Sequence, residues 1–471
     1  MKILFVVCPH EFNSVNKLIS VQLPVNVLYL ATCVIKYGHE AKIIDYNVEK
    51  FSKEGFIEII KKEQPTAIGF SCMTPSIENG AYLAGIIKDK FLEIITIVGG
   101  PHSNAIPEQT LKEFKSFDFV MLGDAEYTIV EFCEALEKKR QIKEVHNLIF
   151  RNNKQFIITE KKVIGSLDNL PFPKRELVNL ENYKKNHLSK GFSRKVKSMQ
   201  EVLTTRGCPN KCIFCLTNIS YDRVYFRSSK NVIAELEYCV KKRGAMHIYI
   251  MDDTFVSNKH LVKDCCRFFR ENEITWHCNA SINFVTKEII RLMSISGCRG
   301  ICYGVESGSQ RVLDYIKKNI TVNQIKNVFE WSHEYGIRMI EGTFIIGSSP
   351  YETIDDFYST LDIIKKIKPD IINVTKITPF PGTESYNLMR SYISGNKWSD
   401  FYLIDSKPQW RTKNFTDKQL VRLQRKMLIS FYLSPSYVFR RIAKLRNLQE
   451  LIYWCELGMD YLKKLVTNKS I

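Results

Sequence analysis

Short, continuously apolar runs alternate with amphipathic stretches through the first third of the chain. Ile3–Val7, Ala41–Asp45, Ala67–Ser71, Ile94–Val98 and Phe119–Leu122 read as strands, and Val25–Tyr37, Phe56–Lys62 and Glu78–Lys88 carry a helical period between them. Strands apolar on both faces and separated by helices predict a doubly wound parallel sheet, flavodoxin-like, over residues 1–145. Ligands of such sheets bind at the carboxyl ends of the strands. Those ends read Ser71-Cys-Met-Thr74, Gly99-Gly-Pro-His102 and Gly123-Asp-Ala-Glu126, where the glycine pairs admit a close backbone approach to a ligand.

The pattern loosens over residues 146–200, which combine a possible hairpin (Asn147–Glu160), Leu170-Pro-Phe-Pro173 and a Lys-rich run, and read as a surface linker. A second βα series starts at Glu201. Its strands are expected at Val202–Thr205, His247–Met251, Thr275–Ala280, Ile301–Val305, Met339–Ile346 and Ile371–Ile377. Six such units make a partial (β/α)6 barrel over 201–384, open on one side. Residues 385–471 read as a helical C-terminal region, for instance Asp417–Leu428 after a capping Thr416.

With 471 residues, 45% of them hydrophobic, the chain has room for two or three domains with ample cores. Its apolar runs are far shorter than the roughly 20 residues a bilayer-spanning helix needs. The start, Met1-Lys-Ile-Leu-Phe-Val-Val-Cys-Pro, enters a strand pattern without a cleavable leader, so a cytoplasmic location is expected. Fourteen cysteines lie scattered inside strand and helix patterns, which suits reduced thiols better than a disulfide framework. Cys298 and Cys302 repeat a C-x3-C spacing and Cys265-Cys266 adjoin, but all four sit in periodic core-like segments, where cysteine behaves as a small hydrophobe. Of the net charge of +18, residues 151–200 supply +8 and residues 405–471 supply +9. Such segments attract nucleic acid or anionic lipid, or merely solvate a surface, and the second reading is preferred.

The chemistry is concentrated in Arg206-Gly-Cys-Pro-Asn-Lys-Cys-Ile-Phe-Cys215. Cys208, Cys212 and Cys215 stand four and three residues apart, so one short loop can fold three soft thiolates around a corner of an iron-sulfur cube and leave one iron open. A structural zinc site would want a fourth ligand at finger-like spacing, and no second Cys or His pair is placed to supply it. Asp252-Asp-Thr-Phe255 ends the second strand of this series. A carboxylate there suits an ammonium group, while the bland reading is a helix cap. Glu306 and Ser307 end the fourth strand, where Glu306 serves either a ligand or a buried salt bridge.

The C-x3-C-x2-C loop resembles that of the radical S-adenosylmethionine enzymes. Together with Gly99-Gly-Pro-His102, Gly123-Asp-Ala-Glu126, Gly304-Val-Glu-Ser-Gly308 and Pro379-Phe-Pro-Gly-Thr383, the chain resembles the subfamily with an N-terminal cobalamin-binding domain. That subfamily holds the class B methyltransferases and the anaerobic magnesium-protoporphyrin monomethyl ester cyclases. The resemblance spans nearly the whole chain and implies a 4Fe-4S cluster on Cys208, Cys212 and Cys215, S-adenosylmethionine chelated by the open iron, and cobalamin. It implies S-adenosylmethionine contacts from Phe214, Asp252, Asp253, Glu306 and Ser307, and cobalamin contacts from Ser71, Thr74, Gly99, Gly100, His102, Gly123 and Glu126. No catalytic side chain is singled out.

Three departures stand out. Cys8-Pro-His10-Glu-Phe-Asn13 keeps a histidine where relatives carry Asp-x-His-x-x-Gly but lacks the Asp and Gly, so neither His10 nor His102 is read as a cobalt ligand. Ser281 follows Ala280 where many relatives carry Arg, and Gly347-Ser-Ser-Pro-Tyr-Glu352 has one residue more than the family loop. The implied activity is methylation of an unactivated carbon or phosphorus in a small-molecule or lipid-like substrate, with flavodoxin or ferredoxin as electron donor. The alternative is a radical cyclisation, rearrangement or oxidation of a large ring or lipid without net methyl transfer. A tRNA methylthiotransferase would bring three further N-terminal cysteines and a small β-rich RNA-binding tail, so nucleic acid is not expected as a partner. A non-catalytic cobalamin or Fe-S sensor is the remaining class.

Overall fold

The apolar runs of the first third pair as one sheet. In the computed structural model, strands β1 (Lys2–Val7), β2 (Glu40–Asp45), β3 (Ala67–Ser71), β4 (Ile95–Gly99) and β5 (Phe119–Met121) run parallel in the order β2-β1-β3-β4-β5. Their side chains are buried on both faces because helices cover both: Val25–Lys36 packs on one side, and Lys53–Glu63 with Ile77–Lys90 on the other. Ser52 starts the second of these helices by accepting from the Gly55 N–H. The structure describes residues 1–14, 21–153, 155–186, 198–395, 397–403 and 410–445, with 448, 451, 452, 454, 455, 458 and 459. The Lys-rich run at 187–197 and most of the basic tail past 445 lie outside the described residues.

Two features revise the linker expected at 146–200. Its hairpin forms, as β6 (Leu148–Asn152) and β7 (Gln155–Ile158), but β6 pairs antiparallel with β5 and extends the first sheet to seven strands. Leu148 and Ile149 are buried in that domain's cores, and the Phe119 and Phe150 rings stand 5.5 Å apart. Further on, Arg175 is fully buried, with Nη2 2.7 Å from Glu235 Oε1 and 2.6 Å from the Glu201 carbonyl. A charged connector reads as surface; a paired arginine inside overrides that reading.

The second sheet is wholly parallel, in the order β15-β14-β13-β12-β11-β8: β8 (Met199–Val202), β11 (His247–Ile250), β12 (Thr275–Ala280), β13 (Cys298–Glu306), β14 (Met339–Ile346) and β15 (Ile371–Lys376). A two-stranded ribbon of β9 (Thr205–Arg206) and β10 (Tyr225–Phe226) follows β8. This is the open parallel sheet the pattern predicts, with two revisions: its first strand is β8, three residues before the expected Val202–Thr205, and β13 is longer than expected, with Cys298 buried in it. Helix Asp417–Tyr432 begins at Thr416, whose hydroxyl accepts from the Gln419 N–H. The protein is thus α/β, with a helical C-terminal part. Among the described residues no helix is long and apolar enough to cross a membrane.

Candidate functional site

The three-cysteine loop leaves the carboxyl end of the β8–β9 edge and is tied down on three sides. Gly207 opens it at φ +90°, and a Cβ there would lie 2.6 Å from the Arg223 carbonyl oxygen, so only glycine fits. Asn210 donates to Ser281 Oγ at 2.7 Å and accepts from Asn283 Nδ2 at 2.9 Å, anchoring the loop to the end of β12. Ile213 donates its N–H to the Ile316 carbonyl (3.2 Å) and accepts from the Ser385 N–H (3.0 Å). Ser281 is therefore part of the loop's support.

Within the loop, Cys212 is buried and Cys208 and Cys215 are half-buried. Burial raises the Cys208 thiol and pushes that of Cys212 up to about 12, and the three sulfurs lie near enough to act electrostatically on one another. A bound metal reverses this, since its charge replaces the proton. Among the described residues, no three His, Cys, Asp or Glu side chains converge on a point for a single ion. A cubane does not require that, because each thiolate takes a different iron. Among the described residues Asn218 Oδ1, just past the loop, is buried without a partner, and Phe214, within the loop, packs half-buried against the barrel core. The thiol set fits a cluster.

The residues expected around S-adenosylmethionine divide into two groups. Asp252 is fully buried and accepts from the Thr204 N–H (2.6 Å), the Thr205 N–H (3.1 Å) and the Thr204 hydroxyl. Burial raises its pKa, to about 6, against these donors. Its carboxylate braces the strand beneath the loop. Asp253 is exposed, accepts from Thr217 Oγ1 at 3.2 Å and lies within electrostatic range of Cys208. Of the pair, it is the one within electrostatic range of Cys208. Ser307 accepts from the Ser309 N–H (3.1 Å) and meets Thr360 Oγ1 at 3.2 Å, so its hydroxyl is engaged in the turn after β13. Glu306 forms the buried salt bridge that its sequence left open, 2.6 Å from Lys318 Nζ.

At the first sheet the strand ends converge as their spacing suggests. Gly100 has φ +109°, and a Cβ there would lie 2.5 Å from the Cys72 carbonyl oxygen. Among the described residues, fully buried His102 finds no hydrogen-bond partner for either ring nitrogen, and nearby Thr74 Oγ1 is also buried without a partner. Burial lowers the His102 pKa to about 3, so the ring is neutral. Buried polar atoms are seldom left unpaired. Three of them beside a glycine pair fit a domain that takes a polar cofactor at this edge. His10 sits apart from this set, its Nε2 3.0 Å from the Ser399 carbonyl and its ring stacked 3.9 Å from Tyr402.

Glu126 turns toward the other domain, whereas Gly123 stays within its own. Gly123 donates to Asn104 Oδ1 at 2.9 Å. Glu126 Oε1 is 2.6 Å from Arg206 Nη2, and Asp124 Oδ1 is 2.7 Å from Arg206 Nη1 and 2.9 Å from the Tyr221 hydroxyl. Burial works against the Arg206 charge, but Glu126 and Asp124 hold its pKa well above the ordinary arginine value. Arg206 is the first residue of the cysteine loop motif, so the loop is clamped directly to the first domain. A second contact lies close by: a Cβ on Gly382 would come 2.9 Å from Ile219 and 3.0 Å from Ala105. The turn after β15, the short helix after Cys215 and the helix after Gly100 therefore meet at one point. Sequence reasoning missed the roles of Arg206, Lys318 and Trp398, whose indole stands edge-on to His102 at 4.9 Å. None carries a local signal beyond being charged or aromatic.

Comparisons with known proteins agree with this division. Residues 15–133 match the family described as B12 binding domain and residues 202–364 the radical SAM superfamily. Over 449 residues the chain is 30% identical to an uncharacterized methyltransferase of Pyrococcus horikoshii, covering 94% of this chain and 95% of that protein. It is 24% identical over 413 residues to the cytidylyl-2-hydroxyethylphosphonate methyltransferase of Streptomyces wedmorensis, covering 77% of this chain and 76% of that one. Among solved structures, the cobalamin-dependent S-adenosylmethionine radical enzyme OxsB, with aqua-cobalamin and S-adenosylmethionine bound, matches with a TM-score of 0.76 and 17% identity over 98% of this chain and 71% of that one. At that identity the likeness is one of fold.

Proposed function

The chain belongs to the B12-binding radical S-adenosylmethionine family, which includes methyltransferases and magnesium-protoporphyrin cyclases, and from this we propose that it methylates an unactivated carbon or phosphorus of a small-molecule or lipid-like substrate. The observation that carries the reading is the meeting of the two carboxyl-end loop sets at Arg206, Ala105 and Gly382. It supports a site where one substrate atom is reached from both domains.

When bound, the cofactors supply a deoxyadenosyl radical and a transferable methyl group. The chain's own part is to hold and orient. Cys208, Cys212 and Cys215 hold the cluster; Asp253 offers a carboxylate to the ammonium of S-adenosylmethionine, and Phe214 a ring face to its adenine. Thr74, Gly99, Gly100 and His102 receive cobalamin, with Ser71 at the strand end beside them. Arg206 fixes one domain against the other, so that the two reaction partners keep their separation and water is excluded between them. The enzyme works in the cytoplasm with a flavodoxin- or ferredoxin-type electron donor.

The test is anaerobic reconstitution followed by iron, sulfide and corrinoid analysis and S-adenosylmethionine turnover. Expected are about four irons per chain, retained corrinoid, and 5'-deoxyadenosine accompanied by S-adenosylhomocysteine. C212A should abolish cleavage of S-adenosylmethionine. Deoxyadenosine formed without S-adenosylhomocysteine favours the cyclase-like reading that some relatives suggest, deoxyadenosine with no need for corrinoid points elsewhere, and a protein that assembles no cluster overturns both.

A further inference from the structure

The Glu306–Lys318 pair is unusual in where it is buried and in what the chain gives up to bury it. The two side chains are 8% and 9% exposed. Gly304 makes room for them: a Cβ there would lie 2.6 Å from Lys318 Nζ and 2.7 Å from Glu306 Oε1. Glu306 takes a left-handed φ of +65°, and the β13–β14 register shifts at that point. A non-glycine residue adopts that conformation only where its surroundings over-determine it. The backbone also brings the pair to the cysteine loop, because Ile213, next to Cys212, bonds the Ile316 carbonyl at 3.2 Å, two residues before Lys318.

Both charges lie near the loop: Lys318 is within electrostatic reach of Cys208 and Cys212, and Glu306 of Cys212. Burial opposes the ammonium, but the Glu306 carboxylate 2.6 Å away favours it, so Lys318 is read as a cation. A fixed cation in a low-dielectric site favours whichever state of its neighbour is more negative.

We propose that Lys318, oriented by Glu306, is a positioning residue that sets the reduction potential of the cluster, its ammonium stabilising the reduced, more negative state beside Cys208 and Cys212. This rests on the cluster reading above and adds an assignment to it. Cluster potentials respond to net charge and to groups near the sulfurs, and this pair supplies one charge of each sign. Removing the cation should make the cluster harder to reduce, and removing its counter-ion should make it easier.

The test is an anaerobic redox titration of the reconstituted full-length protein without S-adenosylmethionine, followed by electron paramagnetic resonance, on wild type, K318M, K318R and E306Q. K318M is expected to lower the reduced-to-oxidised ratio at a given potential at least tenfold, which is about 59 mV for one electron. E306Q is expected to shift it the opposite way, and K318R to stay near wild type. A purely structural pair would move K318M and E306Q in the same direction, by cluster loss, or move neither, and either result overturns the proposal. If K318M takes up no iron, E306Q decides alone: an upward shift supports the proposal, and no shift or a downward one sinks it. A wild-type protein without a cluster signal refutes the functional reading itself; a wild-type cluster with unmoved variants refutes only the role of Lys318.

Discussion

Replacing Arg206 by methionine probes how the two domains are held together. Methionine is of similar reach and apolar, so R206M removes the contacts at 2.7 Å to Asp124 and 2.6 Å to Glu126 while both carboxylates stay buried, at 15% and 3% exposure. Removing one partner of a buried ion pair costs about 3–5 kcal/mol. Two carboxylates share this arginine, but Tyr221 still donates to Asp124 at 2.9 Å, so the range stands for the site as a whole. For a domain of roughly 150–250 residues each kcal/mol moves the melting temperature by about 2–4 °C, which gives a drop of roughly 6–20 °C. Calorimetry of the oxygen-free protein at pH 7 reads this directly. The informative companion is R206M/D124N/E126Q, in which nothing charged is left behind. Replacing a whole buried ionic group by neutral side chains is often neutral in stability, so the triple variant should recover more than half of the loss. A triple variant as unstable as R206M would refute the electrostatic argument, and an R206M that melts with wild type would refute the clamp.

Three further outcomes are expected. Burial raises Glu201 to about 8 from 4.5, so between those values the folded protein binds more protons than the unfolded chain; stability should fall as pH rises from about 4.5 to about 8, by on the order of a few kcal/mol, and E201Q should flatten that slope in pH-dependent melts. G100A sets a Cβ 2.5 Å from the Cys72 carbonyl at φ +109°, and is expected to lower the melting temperature and reduce corrinoid retention after gel filtration while iron content stays at the wild-type level. W398A removes the 2.7 Å bond from the indole to Glu113 and the edge contact on His102, a loss of roughly 2–3 kcal/mol in the docking of residues 397–402, which amide exchange should register as at least a tenfold faster rate there; unchanged exchange would count against that docking.

The periodicity of apolar residues marked most of the parallel strands of both sheets. Ala67–Ser71, Thr275–Ala280 and Met339–Ile346 form as strands over the same residues that their pattern marks, because side-chain alternation and burial on two faces are properties of neighbouring residues. The spacing of Cys208, Cys212 and Cys215 is equally local, and so are the glycines at Gly99, Gly100 and Gly207. Tertiary structure alone decided which partner each charged or aromatic group takes. Arg206 finds Glu126 eighty residues away, Trp398 reaches back to Glu113, and the β6–β7 hairpin joins a sheet when its composition resembles a linker. Asp252 and Asp253 are adjacent and chemically alike, yet one braces Thr204 and Thr205 while the other is exposed and meets Thr217, a difference of strand-end geometry that no spacing encodes. The physical reason is that the hydrophobic pattern acts residue by residue along the chain, whereas a hydrogen bond or ion pair exists only once the chain has returned through space to supply its second half.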